Sequence, residues 1–227
     1  MGFNIAIDGP AGAGKSTIAK KVARKLSFIY VDTGAMYRAI GLYMWRNNID
    51  VGDESAVDKA CKNIDVTIEY QDGEQQVLLN GDNVNDYIRN ELVGELASKV
   101  SGYSAVRDTL LELQRNMAQK GNVLMDGRDI GTCVLPNADL KIYLTADTNV
   151  RAQRRYLELQ KKGIESDMKE IEADIMARDL RDMQRKIAPL KKAEDAVEIN
   201  TSKLDISEVV EIVVDLVQEK RAGSIRR

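Results

Sequence analysis

Histidine is absent from all 227 residues. That excludes a Ser-His-Asp or Cys-His nucleophile system, an imidazole general base, and His-ligated zinc or haem. The two cysteines, Cys61 and Cys133, stand far apart with no CxxC spacing. They cannot form a disulfide scaffold or a Cys-rich metal site, and they suit a reducing compartment. Only three prolines occur, and none marks an interdomain linker. Neither sign of charge dominates: 33 Lys+Arg face 36 Asp+Glu, for a net charge of −3. The overall basic character that would point to a nucleic-acid polymer is therefore missing. No apolar run approaches the ~20 residues of a membrane span. The N-terminus enters a strand-like segment, Phe3–Asp8, without a basic stretch, an apolar region and a cleavage site. Ala6 stands where a myristoylation signal needs Ser or Thr. A cytoplasmic chain is expected. Its chemistry must run on carboxylates, Lys, Arg, hydroxyls, backbone N–H groups and an oxygen-ligated metal.

The 44% of apolar residues suffices for a substantial core. Short apolar runs at Phe3–Ile7, Phe28–Val31, Asn122–Met125, Leu140–Leu144 and Ala196–Ile199 read as strands of a parallel sheet covered on both faces. Helical patterns alternate with them near Lys15–Leu26, Met36–Arg46, Val84–Val100, Ala105–Lys120, Asn149–Lys161, Glu170–Ile187 and Ser207–Gln218. The alternation predicts an α/β doubly wound core. Two segments break it. Residues 65–80 hold two strand patterns around Asp72-Gly73, a hairpin signal, because Gly accepts the positive φ of a tight turn. Residues 150–169 are dense in Arg, Lys, Gln and Glu around Gly163 and read as two polar helical pieces, forming either a solvated surface hairpin or a mobile lid.

Gly9-Pro10-Ala11-Gly12-Ala13-Gly14-Lys15-Ser16-Thr17 matches G-x-x-x-x-G-K-[ST] between a strand and a helix. Such glycines let backbone N–H groups turn inward on phosphate oxygens, and the helix N-terminus adds its dipole. Lys15 is placed to reach the β- and γ-phosphates and Ser16 to ligate Mg²⁺. The chain lacks N-K-x-D and D-x-x-G, which argues against a guanine-nucleotide switch, and it is short for a motor. A small-molecule kinase remains.

Three further clusters offer an acceptor site. Asp32-Thr33-Gly34-Ala35-Met36-Tyr37-Arg38 follows the second strand, where a helix N-terminus and Arg38 can meet a phosphate. Asp126 closes a buried strand, as a carboxylate near Mg²⁺ does, with Arg128 and Asp129 on the glycine-flanked loop beyond. Arg178, Arg181, Asp182 and Arg185 share one helix face. Met176, Leu180, Met183 and Ile187 form the opposite stripe, by which this helix is expected to pack. One Asp against three Arg leaves surplus positive charge for a polyanion. An acceptor that is itself a phosphate monoester arrives ionised and needs no histidine base.

In these four stretches, the last running through Ala188-Pro189-Leu190, the chain resembles the bacterial cytidylate kinases, of the nucleoside monophosphate kinase family. The resemblance implies a P-loop nucleoside monophosphate kinase fold with a five-stranded parallel sheet flanked by helices, a lid and a small antiparallel insertion. It divides the chain into a core (1–35, 101–149 and 170–227), a monophosphate-binding region (36–100) and a lid (150–169). It implies phosphoryl transfer from ATP to CMP or dCMP with Mg²⁺, no nucleic-acid polymer or membrane, and a chain acting as a monomer. ATP would lie on Gly9–Thr17, and Ser16 and Asp126 would serve the metal. By position Arg38, Arg128 and Arg185 match acceptor-phosphate ligands. Arg178 and Asp182 match the ribose site, with Thr33 and Tyr37 beside it. Ser98, Arg107 and Asp129 match the cytosine site. A carboxylate accepting from the exocyclic amine of cytosine would reject uracil, which lacks that donor. Lys15, Arg128, Asp129, Arg185 and the lid residues Arg154 and Arg155 form the expected catalytic set. Spacing does not choose among Arg151, Arg154 and Arg155 as the arginines closing over the phosphoryl group. The Asn200-Thr201-Ser202 loop is a candidate for adenine contacts. The competing readings are a kinase for UMP, AMP or shikimate, and a non-catalytic nucleotide sensor.

Overall fold

Short β-branched and aliphatic segments alternate with amphipathic helices through a computed structural model that describes residues 2–225. In chain order the elements are β1 (Asn4–Asp8), α1 (Lys15–Leu26), β2 (Ile29–Asp32), α2 (Thr33–Arg46), α3 (Glu54–Cys61), β3 (Val66–Gln71), β4 (Glu74–Leu79) and β5 (Asp82–Asn83). Then come α4 (Glu91–Val100), α5 (Ser104–Ala118), β6 (Val123–Asp126), one π-helical turn (Ile130–Val134), β7 (Leu140–Thr145), α6 (Thr148–Lys161), α7 (Met168–Gln184), β8 (Val197–Asn200) and α8 (Ile206–Ile225).

The main sheet has the order β2-β6-β1-β7-β8, and every neighbouring pair is parallel. Alternation along β1 sends Ile5 and Ile7 to one face and Ala6 to the other. Ile5 and Ile7 join Leu124, Ile142 and Leu144 under α1 and α8. Ala6 joins Val31 and Met125 under α2, α4 and α5, a core that continues into α3 and β3–β4. Each fully buried aliphatic side chain contributes ~1.5–3 kcal/mol, so both helical layers are held by the sheet. A parallel sheet presents all its carboxyl ends on one edge. Ile7 and Asp32 both sit opposite Asp126 in the ladder, which brings the ends of β2, β6 and β1 side by side.

The five expected strands form within a residue or two of their expected ends. The hairpin forms as well, with Asp72 and Gly73 at positive φ, and β5 adds a third strand. Helix α3 was not anticipated, and three further features differ from expectation. Helix α2 begins at Thr33, because the Asp32 side chain accepts from the Ala35 N–H and caps it. Residues 84–90 are not helical: α4 starts only after Asn90, whose side chain accepts from the Val93 N–H. The third concerns α7. The stripe expected to pack lies in solvent, with Met176, Leu180, Met183 and Ile187 exposed by 59%, 54%, 47% and 38%. The helix instead buries Ile171 and Ile175 against Ala152 and Leu159 of α6, and Asp179 and Asp182 farther along. Buried arginine partners outweigh the apolar stripe in setting its rotation.

The chain leaves β1 for the phosphate loop through Gly9, at φ 148°. A Cβ there would lie 1.9 Å from the Leu144 carbonyl oxygen of the adjacent β7. No flexible side-chain end can retreat from that clash. Gly9→Ala is expected to destabilise the chain by at least ~3 kcal/mol, read as a lowered urea midpoint with an unchanged slope.

Candidate active site

The loop after β1 wraps toward α1 through Gly12 and Gly14, both at positive φ. Lys15, the first residue of α1, is buried, and its Nζ donates to the Pro10 carbonyl at 2.6 Å. Burial holds its pKa well below the usual lysine value. Arg128 and Arg178 push the same way, against Asp126 and Asp8. Asp126, at the end of β6, accepts from the Tyr30 hydroxyl at 2.8 Å and from the Ser16 hydroxyl at 2.9 Å. Burial and the neighbouring Asp32 still raise its pKa to about 6. Asp8 closes β1 and accepts from the backbone N–H groups of Ile130 and Gly131 at 2.8 and 2.7 Å. Burial raises its pKa to about 6 as well.

Near Lys15 stands a group of arginines that the chain only partly neutralises. Arg128 Nε donates to Asp182 Oδ2 at 3.0 Å. Arg178 has a buried Nε without a partner. Its pKa is lowered to about 10 by burial and by Arg128 and Arg38. Arg38 is lowered by burial too; Asp32 opposes this, while Arg89 and Arg128 add to it. Lys15, Arg38 and Arg178 are thus each depressed by burial and by neighbouring cations, Arg128 among them. Such an arrangement is costly unless an anion enters.

Beside this cluster lies a group of hydrogen-bonded polar side chains. Asp129 accepts from Arg107 through one oxygen and from Arg185, at 2.9 Å, through the other. The Arg107 guanidinium lies 5.8 Å from the centre of the Tyr37 ring. Ser98 donates to Asp182 at 3.3 Å, and Arg185 also donates to the Ser101 hydroxyl at 3.2 Å. Thr33 donates to the Asp126 carbonyl at 2.8 Å. Gly127 permits that approach, since a Cβ there would stand 2.7 Å from the Thr33 hydroxyl. Cys133 is partly exposed near this group, whereas Cys61 is buried in the core.

Thr33, Tyr37, Arg38, Ser98, Arg107, Arg128, Asp129, Arg178, Asp182 and Arg185 are therefore tied into one neighbourhood with Lys15. The three lid arginines do different things. Arg151 is buried, donates to the Ala11 carbonyl at 2.8 Å and pairs with Asp179, which itself accepts from the Ala11 N–H at 3.0 Å. Helices α6 and α7 thus grip Ala11 from both sides. Arg154 donates to the hydroxyl and carbonyl of Thr201 at 3.0 and 2.7 Å. Arg155 pairs with Glu91 at 2.6 Å and Glu158 at 2.9 Å. Neither Arg154 nor Arg155 joins the cationic cluster. Arg181, expected on the site face, is exposed.

Sequence reasoning gave no individual role to Asp8, Tyr30, Asp32, Arg89 and Asp179. Asp8 and Asp32 carried a usable signal, for each closes an apolar strand just as Asp126 does. Arg89 carried none: it reaches Asp32 at 2.8 Å from the segment that read as helix. Among the described residues no group of three or more Cys, Asp or Glu could hold a metal ion. The paired Ser16 hydroxyl and Asp126 carboxylate suit an oxygen-loving cation that takes its other ligands from phosphate and water.

A family model described as cytidylate kinase matches residues 5–219. The chain is 50% identical over 219 residues to a cytidylate kinase of Lactobacillus johnsonii, covering 96% of this chain and 95% of the relative. It is 50% identical over 214 residues to a cytidylate kinase of Caldicellulosiruptor saccharolyticus, covering 94% and 95%. Among solved structures it is similar in fold to a shikimate kinase of Bacteroides thetaiotaomicron. The TM-score is 0.50 at 16% identity, over 95% of this chain and 98% of the other.

Removing one partner of the Arg151–Asp179 pair leaves a buried charge alone. Asp179→Ala is expected to cost ~3–5 kcal/mol, with less loss when Arg151→Met accompanies it, measured by equilibrium unfolding. Asp8 has a pH signature. It holds its proton to a higher pH in the folded chain than its ordinary value of 3.8. Ionisation between pH about 4 and about 6 therefore lowers stability as pH rises. Over that window the wild type should lose on the order of 2 kcal/mol more than Asp8→Asn. Equal slopes of unfolding free energy against pH would contradict this.

Proposed function

The chain belongs to the cytidylate kinase family and phosphorylates CMP, and from that premise we propose how its residues divide the work. The observation that carries the reading is the crowded, only partly neutralised set of Lys15, Arg38, Arg128 and Arg178, with the Arg178 Nε left without a partner. ATP lies along Gly9–Thr17, with the backbone N–H groups and Lys15 on its β- and γ-phosphates. CMP or dCMP enters between α2, α4, α5 and α7. Arg38, Arg128 and Arg185 hold its phosphate, while Arg178 and Asp182 face the sugar, with Tyr37 and Thr33 beside them. Ser98, Arg107 and Asp129 meet the cytosine edge. Asp129, held in place by Arg107 and Arg185, offers its carboxylate oxygens as acceptors for the exocyclic amine.

The acceptor phosphate oxygen attacks the γ-phosphorus. One P–O bond forms, the bond to the β-phosphate oxygen breaks, and ADP leaves with the electron pair. No proton must be taken from the nucleophile, so the missing histidine is no handicap. The arginines hold acceptor and donor together against their mutual repulsion and neutralise the charge that spreads over the moving group. Mg²⁺ bound with ATP would add charge neutralisation across its β- and γ-phosphates, and Ser16 and Asp126 are the residues that would hold it. Arg154 and Arg155 act in the closed lid after exchanging their present partners for phosphate oxygens. Every group in this scheme comes from one chain, so the working unit is a monomer. Cytoplasmic residence fits the free cysteines, and no helix of the described residues is long and apolar enough to cross a membrane.

A coupled ADP-release assay across CMP, dCMP, UMP and AMP tests this reading. CMP and dCMP should be preferred over UMP by at least ~10²-fold in kcat/KM. Asp129→Ala should narrow that preference while leaving the KM for ATP nearly unchanged. An equal loss for all four acceptors would remove Asp129 from base selection.

A further inference from the structure

Asp8 is assigned no part in the scheme above, yet it occupies the junction between the donor and acceptor halves of the site. It is the last residue of β1, directly before Gly9. Its side chain is 5% exposed and spends both carboxylate oxygens on a loop more than a hundred residues away. The Ile130 N–H donates to Oδ1 at 2.8 Å and the Gly131 N–H to Oδ2 at 2.7 Å. These N–H groups open the π-helical turn at 130–134, and no side chain from the turn's own end caps it. Asp8 therefore acts as a cap supplied from another strand. The residues just before the capped turn are Arg128 and Asp129. Asp129 continues the fastening through its carbonyl, which accepts from the Cys133 N–H at 2.8 Å.

A buried carboxylate is an expensive way to tie down a loop. A neutral side chain or a water molecule could satisfy two N–H groups at lower cost. What the carboxylate adds is a short two-point connection. It fixes the Arg128–Asp129 loop relative to the start of the phosphate loop, and so relative to Lys15. In-line transfer depends on that relation. A displacement of ~1 Å between reacting groups can cost ~10²-fold in rate.

We propose that Asp8 is a positioning residue for phosphoryl transfer, registering the acceptor-holding loop against the phosphate loop by capping the turn at 130–134. The inference rests on the acceptor-site reading given above.

The test compares wild type, Asp8→Asn, Asp8→Ala, Arg128→Ala and Asp8→Asn/Arg128→Ala in steady-state kinetics with CMP and ATP varied separately, alongside unfolding curves. Asp8→Asn keeps the shape of the side chain and one acceptor, so it remains informative should Asp8→Ala fail to fold. Its kcat is expected to fall by roughly 10- to 100-fold and its KM for CMP to rise several-fold, with the KM for ATP within about twofold of wild type. Because Asp8 acts through the loop, adding Asp8→Asn to Arg128→Ala should lower kcat/KM by less than about threefold. Additive losses would overturn the proposal. So would a folded Asp8→Asn with wild-type kcat and KM, or one altered only in its KM for ATP. A wild type that forms no CDP would instead refute the acceptor reading, before any variant is compared.

Discussion

Repulsion among like charges is the constraint on which this structure depends. Lys15, Arg38, Arg128 and Arg178 converge at the carboxyl edge of the sheet, where burial and neighbouring cations make Lys15, Arg38 and Arg178 harder to keep charged. The fold tolerates this because each cation stands near a fixed carboxylate that offsets part of the cost. Asp126 serves Lys15, Asp32 serves Arg38, and Asp182 serves Arg128 and Arg178. Those carboxylates in turn occupy strand ends and one helix face, which the two hydrophobic layers hold rigidly. The balance remains short of negative charge, and the phosphates of two nucleotides would supply it.

The same constraint explains why α7 turns the way it does. A helix with four apolar side chains in a row would ordinarily bury them. Here Asp179 and Asp182 must meet Arg151 and Arg128, and each of those arginines is fastened elsewhere, Arg151 to the phosphate loop and Arg128 to the loop after β6. Leaving a buried guanidinium without its carboxylate would cost more than exposing Met176, Leu180, Met183 and Ile187. Polar geometry overrides hydrophobic periodicity, and one helix comes to serve donor and acceptor together.

Much of the architecture was legible in the residues. Parallel strands buried on both faces appear as short apolar runs, and all five were found with nearly correct ends. The phosphate loop was legible because its glycines and lysine are consecutive. The residues of the charged cluster were legible where charge interrupts an apolar pattern, as at Asp126–Asp129, or crowds one helix face, as at Arg178–Arg185. Arg89 and the short helix α3 were not, because nothing local in those segments distinguishes them from ordinary polar connections. Arg151 could be flagged as a lid arginine but not separated from Arg154 and Arg155. All three sit on one polar helix, and only long-range partners tell them apart: Ala11 and Asp179 for the first, Thr201 for the second, Glu91 for the third.

Local pattern in the chain suffices for the layering of sheet and helices, the glycine-rich loop after β1 and the kind of chemistry open without histidine. These follow from local pattern and from which side chains exist at all. Only the tertiary structure decided which carboxylate faces which cation, which face of α7 is buried, and that Asp8 caps a turn whose residues lie on another strand's loop. Those outcomes are set by competition among partners distant in sequence, where ion pairing, burial and strand register must be satisfied together.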